Sequence, residues 1–78
     1  MTLKLFPPAV VDVIAAVADE HGLAPAEVLG RGVRPQLARA RVAVMRRLLD
    51  GKHSEATVGR YFGITQQAVS IALKRAAR

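Results

Sequence analysis

Apolar residues recur along this chain at intervals of three and four, the period of a helix with one buried face, and five segments follow from that spacing. Val10, Val13, Ile14 and Val17 predict a helix over 9–21, with Pro8 suited to its first turn, Asp12 placed early and Gly22 suited to its stop. His21 then sits at the negative end of the helix dipole. Pro25 opens a short second helix over 24–29 that Gly30 closes, with Val28 and Leu29 as its apolar contacts. The stretch GRGVRP, 30–35, has the composition of an exposed loop.

The longest helix is expected over 36–50. At 100° per residue, Leu37, Ala38, Val42, Val44, Met45, Leu48 and Leu49 share a broad face, opposite Arg39, Arg46 and Asp50. Arg41 falls inside the apolar face, so it either snorkels to the rim or pairs with a carboxylate or carbonyl groups. Gly51 ends the helix and Lys52-His53 form a turn. Ser54 is a good N-cap for a fourth helix through Phe62, and Gly63 follows it. Thr65 caps a fifth, running from Gln66 to about Ala77. The expected fold is all-α: a compact five-helix bundle over 9–78 with a C-terminal helix-turn-helix, preceded by an extended arm, 1–8, whose Leu3, Leu5 and Phe6 fold back on the core or join a partner.

Composition narrows the function. With no Cys, disulfides and thiolate metal sites are excluded, and His21 and His53 lack the neighbours a metal site needs, so neither metal nor cofactor is expected. No apolar run reaches membrane-spanning length, and Pro7-Pro8 with Asp12 spoils a signal peptide. A cytoplasmic protein with no membrane partner is the expectation. No catalytic residue is assigned: His53, Ser54 and Glu55 are consecutive and cannot converge on one atom while Ser54 caps a helix. An enzyme, or a small-molecule substrate, is therefore not expected.

Charge changes the picture most. Residues 1–30 hold one Lys against four carboxylates, net −3, and residues 31–78 hold eleven Lys and Arg against two, net +9. Such asymmetry in a folded chain points to a polyanion, nucleic acid before a membrane surface. On the last helix, Ala68, Val69, Ala72, Leu73 and Ala76 gather on one side, and Gln67, Ser70, Ile71, Lys74 and Arg78 on the other. The second set has the chemistry of a major-groove reader. A Gln amide bonds adenine through N6 and N7, Ser serves base or phosphate, and an exposed Ile touches a thymine methyl. Thr65 and the first-turn amides are placed to hold a phosphate.

The run VLGRGVRPQLARARVAVMRRLL followed by SEATVGRYFG resembles the C-terminal DNA-binding domain of the bacterial replication initiator DnaA, over 9–78. The likeness lies in a short helix ending Leu-Gly, a basic loop, an Ala-Arg-Ala-Arg start to the long helix and a Ser-capped helix ending Phe-Gly. It implies an all-helical fold shared with the Trp repressor, with the loop and the start of the long helix against DNA. The family's minor-groove Arg falls at Val33, flanked by Arg31 and Arg34, and Arg39 and Arg41 match its Arg pair. GITQQAVS departs from that family's Asp-His-Thr-Thr and is similar to the recognition-helix start of lambda-type repressors, so a different sequence should be read.

The expected function is sequence-specific binding of double-stranded DNA, by a small bacterial or phage regulator of transcription or replication initiation acting at the nucleoid. Gln66, Gln67, Ser70, Ile71 and Lys74 would face the major groove, and Arg31 and Arg34 the adjacent minor groove or backbone. Arg39, Lys52, His53, Ser54, Arg60 and Tyr61 would meet phosphates, with Arg41 and Thr65 beside them. No GxxxxGK[ST] phosphate loop occurs, and a start at Met1 suits a free-standing regulator. A homodimer or a second regulatory protein stays open as a partner. The alternative is a phage or host interaction module that binds and inhibits a polymerase or initiator, using the acidic first helix with Asp12, Asp19 and Glu20.

Overall fold

Prolines and polar caps set where each helix begins. The computed structural model describes residues 6–30, 32 and 34–76, and within them the chain forms α1 (Pro8–Glu20), α2 (Pro25–Leu29), α3 (Pro35–Asp50), α4 (Glu55–Phe62) and α5 (Gln66–Ala76). Pro stands in the first turn of α1, α2 and α3, where its missing N–H has no intrahelical partner to lose. For α4 and α5 the start is a hydroxyl cap. Ser54 Oγ accepts from the N–H of Thr57 (3.1 Å), and Thr65 Oγ1 accepts from the N–H of Ala68 (3.0 Å). No strand occurs among the described residues, so the fold is all-α.

Three helix ends close alike. The N–H groups of Leu23, His53 and Ile64 each reach back five residues, to the carbonyls of Ala18 (2.8 Å), Leu48 (3.0 Å) and Gly59 (2.9 Å). These are Schellman closures, which need a left-handed residue just before the donor. That residue is Gly22 and Gly63 after α1 and α4, but Lys52 (φ 73°) after α3, which Gly51 ends as expected. A lysine therefore holds a conformation that L side chains disfavour.

The core joins Val10, Ile14, Val17 and Ala18 of α1, Val28 and Leu29 of α2, Ala40, Val44, Met45 and Leu48 of α3, Val58 of α4 and Val69 of α5. Central to it is α3, which packs on each of the other four helices. Ala40 is fully buried whereas Ala38 is exposed, so the apolar face of α3 is turned toward the Ala40, Val44, Leu48 ridge relative to the expected one. A radius of gyration of 11.3 Å agrees with about 11.5 Å for a globule of this length. Phe6 folds back onto the core and meets Tyr61 edge to face (5.3 Å between centroids, 84°), while Leu3 and Leu5 lie outside the described residues.

Candidate nucleic-acid interface

The turn Gly63-Ile64-Thr65 joins α4 to α5 and is folded tightly against α4. A Cβ on Gly59, in the middle of α4, would stand 2.7 Å from the carbonyl oxygen of Ile64 and 3.3 Å from that of Thr65. Only a residue without a Cβ lets the turn return this closely, and Gly63 (φ 70°, ψ 31°) supplies the left-handed step that starts the return. These two glycines fix how α5 leaves α4.

Seated in this way, α5 buries Val69 completely and half-buries Ala68, Ala72 and Leu73. Its outer face exposes Gln66, Gln67, Ile71 and Lys74. Ile71 is 51% exposed, a large apolar side chain left in water among polar neighbours. Ser70 is half-buried, at the edge of this face, and Ala76 is exposed although the wheel set it on the packing side. Arg78 and Ala77 lie outside the described residues. Thr65 keeps its cap, so its hydroxyl is already engaged when the first-turn amides meet solvent.

The turn between α3 and α4 carries three of the expected phosphate contacts, and two of them have structural work as well. His53 is half-buried, and its Nδ1 donates to the carbonyl oxygen of Leu48 (3.1 Å), which already accepts the His53 backbone N–H. The proton of the neutral ring is thereby on Nδ1, so Nε2 can donate to a phosphate only in the imidazolium form. The ring meets Tyr61 at 6.2 Å between centroids, which makes Phe6, Tyr61 and His53 one aromatic row. Ser54 spends its hydroxyl on Thr57, through the N–H and Oγ1 (2.9 Å). Lys52 and Arg60 are exposed and make no ion pair among the described residues.

At the basic loop, Arg34 is exposed but paired: its Nη2 donates to Glu27 Oε2 at 2.7 Å. Glu27 Oε1 also accepts the N–H of Ala24 at the start of α2 (2.9 Å). The Ala24 N–H and the Arg34 guanidinium together hold the Glu27 carboxyl below its ordinary range. Arg41 resolves in favour of carbonyl groups. It donates from Nε to Val28 O (2.8 Å), from Nη1 to Gly32 O (2.7 Å) and from Nη2 to Gly30 O (2.7 Å) and Glu27 O (3.4 Å). Arg31 and Val33 lie outside the described residues.

A groove of about 670 Å³ runs between α3 and α5 and brings the two regions to one concavity. Gly30, Arg39 and Arg41 line it from the loop side, and Gly63, Ile64 and Arg75 from the turn and α5. Arg75 was missed in the sequence because it falls between the two faces of the α5 wheel. Gly59 was missed too; a glycine inside a helix four residues before another was the available signal. Among the described residues no three His, Cys, Asp or Glu side chains gather to hold a metal, and no helix is long and apolar enough to cross a membrane. Compared with protein-family models, curated proteins and solved structures, the chain matches none.

Proposed function

We propose that the chain is a sequence-specific double-stranded DNA-binding protein in which α4, the turn and α5 act as a helix-turn-helix. In this reading α5 enters the major groove, and the loop over 30–35 addresses the adjacent minor groove or backbone. One observation carries it. The first turns of α5 leave Gln66, Gln67, Ile71 and Lys74 exposed together, on a helix whose seat is fixed by the close approach at Gly59. Glutamine amides can bond the major-groove edge of adenine, and an apolar tip beside them can meet a thymine methyl. Arg39, Lys52, Arg60 and Arg75, exposed and without an ion pair among the described residues, add the sequence-independent attraction to phosphate. The biological role in this reading is control of transcription or of replication initiation, at the nucleoid.

Selection of bound duplexes from a randomised library tests the proposal directly. A recovered motif a few base pairs long supports it, and two-fold symmetry in that motif would assign a dimer. A pool that stays random, with no gel retardation at low salt, rejects it. The groove supports a second reading, a protein-interaction module, because its floor holds Val42, Phe62 and an Ile64 that is 40% exposed. Capture of a specific polymerase or initiator subunit by a chain that retards no DNA would favour that reading.

A further inference from the structure

Arg41 makes more side-chain hydrogen bonds than any other described residue, and all of them go to backbone carbonyls. Glu27 and Val28 lie in the last turn of α2, where the Glu27 carbonyl already accepts the N–H of Gly30 (3.2 Å) and no backbone donor to the Val28 carbonyl is found among the described residues. Gly30 and Gly32 follow in the loop and bracket Arg31 in the sequence. Four carbonyl oxygens from 27–32 thus converge on one planar cation. Without it, four like partial charges would face one another across the start of α3. Lysine is a poor replacement, since a single ammonium cannot spread donors over this arc as the guanidinium fork does.

The same bonds leave Arg41 little for an outside anion. Four of its five N–H groups point inward, so a bidentate grip on a phosphate requires releasing at least one carbonyl. The loop is also held from beneath. A Cβ on Gly32 would run into Cδ1 of Leu37, which is 3% exposed, so the backbone at Gly32 lies directly on a buried side chain.

We infer that Arg41 is a positioning residue: it fixes the backbone at Glu27, Val28, Gly30 and Gly32, through them sets where Arg34 meets the duplex, and takes no phosphate itself. The consequence for DNA rests on the function proposed above; the effect on the loop does not. The tests are therefore run in two parts on the full chain. Without DNA, amide exchange in Arg41→Lys should rise at least tenfold at Gly30, whose N–H is bonded to the Glu27 carbonyl, while amides of α1 and of the second half of α3 keep wild-type protection. With DNA, the preference for the selected duplex over a random one should fall at least tenfold, while the slope of log affinity against log salt changes by less than the roughly 0.9 of one lost phosphate contact.

Gly32→Ala displaces the same loop against Leu37 and leaves Arg41 charged. Its loss of preference should not add to that of Arg41→Lys in the double variant, because both act through one loop. Wild-type exchange and preference in Arg41→Lys, with about 0.9 of slope lost in Arg41→Ala, would overturn the inference and make Arg41 a phosphate contact. Additive losses would overturn it as well. If the wild-type chain binds no duplex, the function proposed above fails, and unchanged exchange in Arg41→Lys still decides against the positioning role.

Discussion

Gln67 and Gly59 show how differently two residues can serve one helix. Gln67 is exposed and touches nothing that holds the fold together, so Gln67→Ala should leave thermal stability within about 0.5 kcal/mol. Its expected cost is about 1 to 3 kcal/mol on the selected duplex, with relaxed base preference at one position, measured by competition binding. Equal weakening on every sequence would remove it from base reading. Gly59→Ala is the converse case. The added methyl meets the carbonyl of Ile64 at 2.7 Å, backbone that cannot rotate away, so a loss of about 1 to 3 kcal/mol of stability is expected in denaturant unfolding despite the better helix propensity of Ala. Lys52→Gly joins the two concerns. Relief of the left-handed lysine should stabilise the fold by about 1 kcal/mol, while loss of the cation should lower the salt slope of DNA binding by about 0.9. A stabilised variant with an unchanged slope would keep the backbone argument and remove Lys52 from the interface.

Among the elements, α2 is the one whose integrity should depend on acid. Glu27 holds the N–H of Ala24 and the guanidinium of Arg34 together, and both favour its ionised form. Because its folded pKa lies below the ordinary 4.5, this contribution is complete above that value and is lost as pH falls through the folded one. Amide signals at Ala24 and the side-chain signal of Arg34 should therefore shift on acidification from pH 6 to pH 3, before those of the core of α3 change. Glu27→Gln, which still accepts from Ala24 but no longer titrates, should flatten the curve at Arg34. An unaltered curve in that variant would assign the titration to another carboxylate. Element boundaries were legible for a local reason: Pro8, Pro25, Pro35, Ser54 and Thr65 act within one turn of themselves, so helix starts could be read within a residue of where they occur. The Glu27 to Arg34 pair, the four carbonyls on Arg41 and the lysine after α3 were not legible, because each depends on where a loop goes after it leaves its helix. The same holds for the site. Gln66, Gln67, Ile71 and Lys74 were expected outside and are outside, since a wheel needs only the helix, whereas Ser54, His53 and Arg34 are already engaged in ways that only the folded loop reveals.

At the scale of the whole molecule, the charge that the chain offers to a duplex is smaller than its sequence total suggests. Of the cations in 31–78, Arg34 is neutralised by Glu27, Arg47 grips both oxygens of Glu20 (2.6 and 2.8 Å), and Arg41 is turned into the backbone. Arg39, Arg46, Lys52, Arg60, Lys74 and Arg75 are exposed without an ion pair among the described residues. Arg46 and Arg75 have no place in the interface expected from the sequence, and of the two only Arg75 lines the groove between α3 and α5. With about five or six phosphates met, log affinity should fall against log salt with a slope near −5 at about −0.9 per phosphate, a loss of about a thousandfold between 50 and 200 mM. Binding to the selected duplex and to a random one should share that slope and differ in intercept, since base contacts on α5 release no counterions. Anisotropy titrations on both duplexes across this salt range measure both quantities. A slope near zero would deny the electrostatic surface, and a steep slope with equal intercepts would leave a DNA-binding protein whose α5 does not read sequence.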